Sequence, residues 1–89
     1  MNIQIINSAM FYVYIIYSKD FNVYYKGFTE NVAQRLQYLN DNRSRYTSNK
    51  GIWELVYSKS FETKREALVE ELRLKKLNRK SIEILIQNR

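Results

Sequence analysis

Eighty-nine residues are enough for one folded domain, and fifteen Lys and Arg against nine Asp and Glu give it a formal charge of +6, which favours polyanionic partners such as nucleic acid. The chain contains no cysteine and no histidine, which excludes disulfides, thiolate nucleophiles, cysteine-ligated zinc and a histidine base. Any catalysis must therefore use carboxylates, hydroxyls, lysine, arginine or a hard metal ion bound through oxygen.

The start of the chain, residues 1–10, shows no clear periodicity and lacks the charged start and long apolar centre of a signal peptide. We expect these residues to form either a flexible N-terminal extension or an added edge strand, followed by a single domain over residues 11–89. The longest apolar run, Phe11 to Tyr17, is far shorter than the roughly 20 residues that span a bilayer. The sequence therefore predicts a cytoplasmic protein with no membrane segment.

The first two predicted elements are strands. Residues 11–17 are all β-branched or aromatic, which is typical of a strand buried on both faces. Residues 19–22 predict a turn, and Val23 to Phe28 predict a second strand. Because the connection is short, we expect the two strands to pair as an antiparallel hairpin.

Three residues of this hairpin are candidates for a site. Side chains alternate along a pleated strand, so Tyr14 and Tyr25 can point to the same side of the sheet. Gly27 follows on that face without a side chain, which lets a backbone or a ligand approach closely. Two interpretations stay open here: part of a functional site, or ordinary aromatic residues of a sheet.

A helix follows the hairpin. Thr29 is expected to cap a helix from about Glu30 to Leu39, with Val32 and Leu36 in its apolar stripe. Arg35 borders this stripe, so its aliphatic stem can lie on the core edge while its guanidinium offers a planar fork to a phosphate. The alternative is that Arg35 simply extends into solvent.

A long polar loop, residues 40–51, separates this helix from a third strand predicted from Trp53 to about Ser60. Positive side chains in the loop are interleaved with a tyrosine that can stack on a base, and two lysines near the end of the next helix add positive charge. The predicted nucleic-acid contacts in these two regions are Arg43, Arg45, Tyr46, Lys50, Lys75 and Lys76.

Two helices complete the chain. Thr63 and Glu66 have the spacing of a capping box, which predicts a helix that continues to about Leu77. Asn78 is expected to cap the last helix. The order β-β-α-β-α-α predicts an α+β fold, in which a small three-stranded antiparallel sheet is flanked by helices.

Glu71 is the carboxylate that the helical pattern singles out. Its neighbours one turn away are mostly apolar, whereas Glu70 neighbours charged residues and is expected to be solvated. A carboxylate on an inward face is costly unless it pairs with a cation or a metal ion. Both of these partners remain open for Glu71.

Taken in order, these residues resemble the GIY-YIG endonuclease family, specifically its small free-standing bacterial members, which are similar to the nuclease domain of the excision-repair incision subunit. The first motif is Val-Tyr-Ile at residues 13–15, the second is Tyr-Lys-Gly at residues 25–27, and Arg35 follows eight residues after the glycine. The stretches at residues 51–57 and 66–71 complete the pattern, and the resemblance extends from residue 11 to about residue 87.

The resemblance implies a catalytic set and a cofactor. Tyr14 would help to activate the attacking water, Tyr25 would position it, and Arg35 would stabilise the phosphorane-like charge. One divalent metal ion, Mg²⁺ or Mn²⁺, would be held by Glu71 and water and would stabilise the leaving oxygen. The expected substrate is DNA with a branched, nicked or flapped structure, in repair or recombination, and we expect a monomer or a weak homodimer.

Three positions depart from the family pattern. Tyr12 replaces the glycine of the first motif, and Lys26 brings an extra cation that we expect near the site and in contact with nucleic acid. Leu39 stands where small members often carry a histidine. The last departure keeps open a catalytically weak or inactive nucleic-acid-binding module of the same fold, and the aromatic surface keeps open a protein–protein adaptor.

Overall fold

The computed structural model describes residues 10–41 and 47–88, and it confirms the predicted α+β fold. Residues 1–9 lie outside the described residues, so the expectation of an N-terminal extension stays a prediction. No helix in the described ranges is long and apolar enough to cross a membrane. In chain order the elements are β1 (Phe11–Ser18), β2 (Val23–Thr29), α1 (Val32–Asn40), β3 (Trp53–Phe61), α2 (Lys64–Lys75) and α3 (Arg79–Gln87).

The three strands form an antiparallel sheet in the order β2-β1-β3, so β1 is the central strand. In the register between β1 and β2, Tyr14 pairs with Gly27 and Ile16 pairs with Tyr25. Residues two apart on one strand share a face, so Tyr14 and Tyr25 lie diagonally on the same face, as the sequence predicted.

Helices cover both faces of the sheet, which explains the continuous apolar sequence of β1. On the face that carries Tyr14, α1 packs its Leu39 into a cluster with Ile16 and Trp53. The opposite face packs against α2 and α3. The buried residues of that second cluster are Val13, Ile15, Tyr57, Ala67, Leu74 and Ile82.

The start of α1 differs from the prediction, because Asn31 rather than Thr29 is its N-cap. The Asn31 Oδ1 atom accepts a hydrogen bond from the Gln34 backbone N–H at 3.0 Å. Thr29 stays in β2, paired with Tyr12, and its hydroxyl accepts a hydrogen bond from the Asn31 backbone N–H at 3.1 Å. Sheet pairing therefore holds Thr29 in an extended conformation, and the helix begins beyond it.

The starts of α2 and α3 confirm the predicted caps. The Thr63 hydroxyl accepts a hydrogen bond from the Glu66 backbone N–H at 3.2 Å and donates one to Glu66 Oε1 at 3.0 Å. The Asn78 side chain accepts a hydrogen bond from the Ser81 backbone N–H at 2.9 Å. Both caps satisfy backbone donors that have no partner inside the helix.

The polar loop between α1 and β3 is fixed at its base. The Asn40 side chain accepts a hydrogen bond from the Trp53 backbone N–H at 2.7 Å and donates one to the Trp53 carbonyl at 3.2 Å. The Trp53 indole N–H donates to the Thr47 carbonyl at 3.1 Å, and the Ser18 hydroxyl donates to the Lys50 carbonyl. The end of α1 is thereby bonded directly to the start of β3.

Candidate active site

Tyr14 lies at the centre of the site, with a side chain that is only 2% exposed. Its ring extends across the backbone of Gly27 on the neighbouring strand. A Cβ atom built on Gly27 would lie 2.5 Å from Tyr14 Cζ and closer still to the hydroxyl oxygen. The glycine is therefore required by the tyrosine, because any side chain at residue 27 would occupy the space of the phenol.

Arg35 reaches the Tyr14 hydroxyl from α1. Leu39, one turn further along the helix, is buried against the sheet and fixes the orientation of this face of α1. Arg35 itself is exposed, and its guanidinium lies 5.6 Å from the ring centroid of Tyr38 and close enough to Tyr14 to lower the pKa of that phenol. A cation at the core edge thus has one side against a phenol and the other side open to solvent.

The pKa of Tyr14 reports which residues surround its hydroxyl. This pKa is raised to about 12, chiefly by burial, with the neighbouring Tyr25 and Glu71 contributing to the increase and the nearby Arg35 guanidinium opposing it. All four residues of the predicted catalytic set therefore act on one hydroxyl group. In the absence of other cations, that hydroxyl is a neutral phenol at pH 7.

Tyr25 lies beside Tyr14 on β2. Its ring makes a tilted contact with Trp53, with the ring centroids 6.3 Å apart and the planes at 59°. It packs partly buried against the cluster under α1. The ring is therefore supported by the core while it faces the same side of the sheet as Tyr14.

Glu71 approaches from α2, where the buried residues Ala67 and Leu74 turn this side of the helix towards the sheet. Its side chain is 18% exposed, and Lys75 Nζ lies 3.3 Å from Glu71 Oε2. The described residues contain no group of three or more carboxylate, histidine or cysteine side chains arranged for a metal ion. One carboxylate with water ligands suits Mg²⁺, which usually keeps several of its waters.

Comparison with known proteins assigns the family. Residues 10–83 match the family described as the GIY-YIG catalytic domain. The chain belongs to the GIY-YIG family. The predicted resemblance to its small bacterial members is thus confirmed, and with it a nuclease-type domain whose partner is nucleic acid.

Relatives of this GIY-YIG protein occur in several bacteria. The chain is 37% identical over 79 residues to the UPF0213 protein YazA of Bacillus subtilis, an alignment that covers 88% of this chain and 79% of YazA. It is 42% identical over 71 residues to the UPF0213 protein CPE1444 of Clostridium perfringens, covering 79% and 75% of the two chains. The solution NMR structure of the UPF0213 protein BH0048 from Bacillus halodurans matches with a TM-score of 0.59 at 32% identity, covering 90% of this chain and 85% of that one.

Glu70 differs from its prediction. Its side chain is only 14% exposed rather than solvated, and Arg73 donates hydrogen bonds to both of its oxygens at 2.8 and 2.6 Å. These hydrogen bonds lower the pKa of Glu70. Successive helical residues are about 100° apart, so Glu70 and Glu71 flank the buried stripe of α2 on opposite sides. Glu70 is held by an arginine, whereas Glu71 pairs with Lys75 and lies close enough to Tyr14 for its charge to raise the pKa of that phenol.

Lys26 does not share the face of Tyr14. It pairs with Ile15, whose side chain belongs to the core under α2 and α3, and it lines a cavity with Arg79 on that side. Side chains alternate along a strand, so its position next to Gly27 turns it away from the phenol. Lys26 is therefore not on the tyrosine face of the sheet, and its expected place near the site and its contact with nucleic acid both stay predictions.

The other predicted nucleic-acid contacts are distributed around the domain. Lys75 lies at the site through its ion pair with Glu71, and Lys76 is exposed at the end of α2. Lys50 lies at the fixed base of the polar loop. The remaining three residues, Arg43, Arg45 and Tyr46, fall outside the described residues. For all six residues, contact with nucleic acid stays a prediction.

The surroundings of Arg35 were not predicted from the sequence. A cavity of about 310 Å³ is lined by Arg35 together with Thr29, Gln34 and Tyr38. The signal was present in the sequence, because Tyr38 follows Arg35 at the i+3 spacing that brings two helical side chains together.

Proposed function

We propose that this protein is a metal-dependent endonuclease that hydrolyses phosphodiester bonds in DNA. The observation that carries the proposal is that Tyr25, Arg35 and Glu71 all lie close enough to the buried Tyr14 hydroxyl to shift its pKa. Phosphodiester hydrolysis needs an oriented water, positive charge for the phosphate oxygens and stabilisation of the leaving oxygen. Each requirement has a candidate residue in this set.

Arg35 is proposed to bind the scissile phosphate. It is exposed, so a phosphate can reach it, and its planar guanidinium can donate two parallel hydrogen bonds to non-bridging oxygens. The neighbouring Tyr14 hydroxyl would help to orient the guanidinium before the substrate arrives. Charge that grows on the phosphate in the transition state would then meet a cation that needs little reorganisation.

Tyr14 and Tyr25 are proposed to hold the attacking water. A phenol with a pKa of about 12 is ionised in roughly one molecule in 100,000 at pH 7, so Tyr14 alone is a poor base. As a neutral group its hydroxyl orients the water, and positive charge nearby would favour the phenolate form, which could accept a proton from that water. Arg35 provides part of that charge.

Glu71 is proposed to hold the metal ion, Mg²⁺ or Mn²⁺, with water as its other ligands. When bound, the ion would supply positive charge at the leaving oxygen and offset the negative charge of Glu71. Lys75 Nζ lies 3.3 Å from one oxygen of this carboxylate, Oε2, so a metal ion would compete with the lysine for it.

The substrate is proposed to be DNA with a nick, flap or branch, as arises in repair or recombination. A basic domain of this size offers little surface for reading base sequence, which favours recognition of shape and backbone. The alternative function, a nucleic-acid-binding module without turnover, is supported by Leu39, which is 1% exposed and brings no titratable group to the site.

The test is cleavage of labelled linear, nicked, flapped and branched DNA with Mg²⁺, Mn²⁺ or EDTA. Wild type is compared with Tyr14→Phe, Arg35→Ala and Glu71→Gln, and Glu70→Gln is the matched control because it removes the adjacent carboxylate on the same helix. We expect metal-dependent cleavage by wild type and by the Glu70→Gln control, and loss of cleavage in the other three variants. Intact DNA binding without cleavage of any DNA or RNA form would instead support the binding module.

A further inference from the structure

A groove runs along one side of α1 from Arg35 towards the end of the helix. The cavity beside Arg35 continues into a second cavity of about 240 Å³, and the two share Gln34 and Tyr38 in their walls. We call this feature the α1 groove. Its lining residues are Thr29, Gln34, Arg35, Gln37, Tyr38 and Asp41.

The helical repeat explains why these side chains form one surface. Gln34, Tyr38 and Asp41 follow one another at i, i+4 and i+7, so they lie along one flank of α1. Leu36 and Leu39 turn instead to the cluster on the sheet. The groove is therefore a polar flank of a helix whose apolar side is anchored in the core.

Tyr38 presents a ring at the middle of the groove. Its side chain is 39% exposed, and the Arg35 guanidinium lies 5.6 Å from the ring centroid. The cation steadies the ring and leaves part of its surface accessible. An accessible, supported aromatic ring is the feature on which single-stranded binding proteins stack bases.

The charge of the groove changes along its length. Arg35 gives a positive end, Gln34 and Gln37 give a neutral middle, and Asp41 gives a negative end. Asp41 is also the C-cap of α1, where the unpaired carbonyls of the helix add partial negative charge. A phosphate would thus be attracted at the Arg35 end and repelled at the Asp41 end.

One nucleotide has the matching polarity. Asp41 lies six positions after Arg35, which is about 9 Å along the helix axis and comparable with the distance from a phosphate to the far edge of its base. Amide side chains pair with the polar edges of bases, and a carboxylate accepts a hydrogen bond from an exocyclic amino group. The middle and the far end of the groove are therefore suited to a base rather than to a second phosphate.

We infer that the α1 groove binds the base of the nucleotide next to the scissile phosphate, stacked on Tyr38, with its edge towards Gln34, Gln37 and Asp41. This inference rests on the proposed function, because it takes Arg35 as the phosphate site. A base can reach Tyr38 only when it is out of the double helix. The groove therefore selects DNA with an unpaired nucleotide at the cleavage position and favours bases with an amino group over thymine.

The test is binding in EDTA to a flap DNA that carries 2-aminopurine as the unpaired base at the junction. Wild type should quench the 2-aminopurine fluorescence by stacking. Tyr38→Leu should abolish the quenching and weaken flap binding by about 5- to 100-fold, the range expected for loss of one stacked base. Tyr38→Phe should keep both, and Ile84→Ala, an exposed substitution on α3 across the sheet, is the control.

Asp41→Asn provides a second, milder variant. It should reduce the preference for cytosine over thymine at the junction and leave affinity for blunt duplex within about 2-fold. Circular dichroism of each variant confirms that it is folded.

Wild-type quenching in Tyr38→Leu, or an unchanged base preference in Asp41→Asn, overturns the inference. If Arg35→Ala still weakens DNA binding in that case, the phosphate site stands without a base site. If Arg35→Ala also binds like wild type, the phosphate site fails, and the proposed function fails with it.

Discussion

The phenol of Tyr14 occupies the space that a side chain on Gly27 would need. The two residues face each other across β1 and β2, and a Cβ atom at residue 27 would lie 2.5 Å from Tyr14 Cζ. The glycine serves here to admit a ring rather than to permit a turn. The tyrosine of the first motif thus packs directly against the glycine of the second motif.

Gly27→Ala should therefore destabilise the fold by about 1–3 kcal/mol, the usual cost of overpacking a well-packed site. The displaced Tyr14 hydroxyl should also lose its contact with Arg35. Urea unfolding measures the first effect, and the cost of Gly27→Ala should shrink in a Tyr14→Val background, where the ring is absent. Equal costs in both backgrounds would show that the two residues do not contact each other.

The pKa of Tyr14 should be near 12 in the metal-free protein and should respond to its neighbours. Glu71→Gln should lower this pKa, because Glu71 raises it, and Arg35→Ala should raise it further. Phenolate absorbance on raising the pH, taken as the difference between each protein and its Tyr14→Phe counterpart, measures the shift. Glu70→Gln is the control and should leave the value unchanged.

The same shift has a consequence for stability. The folded pKa of Tyr14 lies above the unfolded value near 10, so the folded state holds this proton more tightly. Its contribution is fully present below about pH 10 and is lost as the pH rises towards 12. The alkaline loss of stability should accordingly be smaller in Tyr14→Phe than in wild type, and identical curves would contradict the assignment.

Lys75→Met should strengthen binding of Mn²⁺ to the protein. Lys75 Nζ lies 3.3 Å from the Glu71 carboxylate and competes with a metal ion for it. Lys75 is about half exposed, so the gain should be modest, up to about 5-fold. Titration calorimetry without DNA measures it, and Lys76→Met on the same helical turn is the control. Weaker binding by Lys75→Met would show that the lysine supports the ion rather than competing with it.

Leu39→His should destabilise the protein by about 1–3 kcal/mol, because a polar ring would replace a leucine that is 1% exposed. A buried histidine resists protonation, so its pKa would fall below about 6.5 and the loss should be larger at pH 5 than at pH 8. Thermal unfolding at pH 5 and at pH 8 tests this expectation, with Leu39→Met as the volume-matched control. A loss that does not depend on pH would place the new imidazole in contact with solvent.

The sequence predicted features that depend on local pattern. The central strand was recognisable because residues 11–17 are apolar on both faces, and the caps Thr63 and Asn78 were recognisable because each begins a periodic segment. The start of α1 was misplaced because Thr29 and Asn31 both have capping side chains. Only the pairing of Thr29 with β1 decides between them.

Features that depend on the register of the sheet or on adjacent positions of a helix were harder to predict. Glu70 and Glu71 both border the buried stripe of α2, and their different partners appear only in three dimensions. The expectation that Lys26 lies near the site relied on its position in the second motif, whereas the alternation of side chains along β2 turns it to the face opposite Tyr14. The α1 groove combines residues that no short motif contains, so only the structure reveals it.

The hydrogen bonds between Asn40 and Trp53 have a consequence for how this domain can diverge. The Asn40 side-chain amide bonds to both the N–H and the carbonyl of Trp53, much as a neighbouring strand would. These bonds help to hold the start of β3 in register independently of the sequence between the two residues. These two bonds join the ends of the segment that follows Asn40 and precedes Trp53, and lengthening a segment between two joined ends costs little in loop entropy. New contacts can be acquired there by insertion or replacement while the chemistry on the sheet is inherited unchanged.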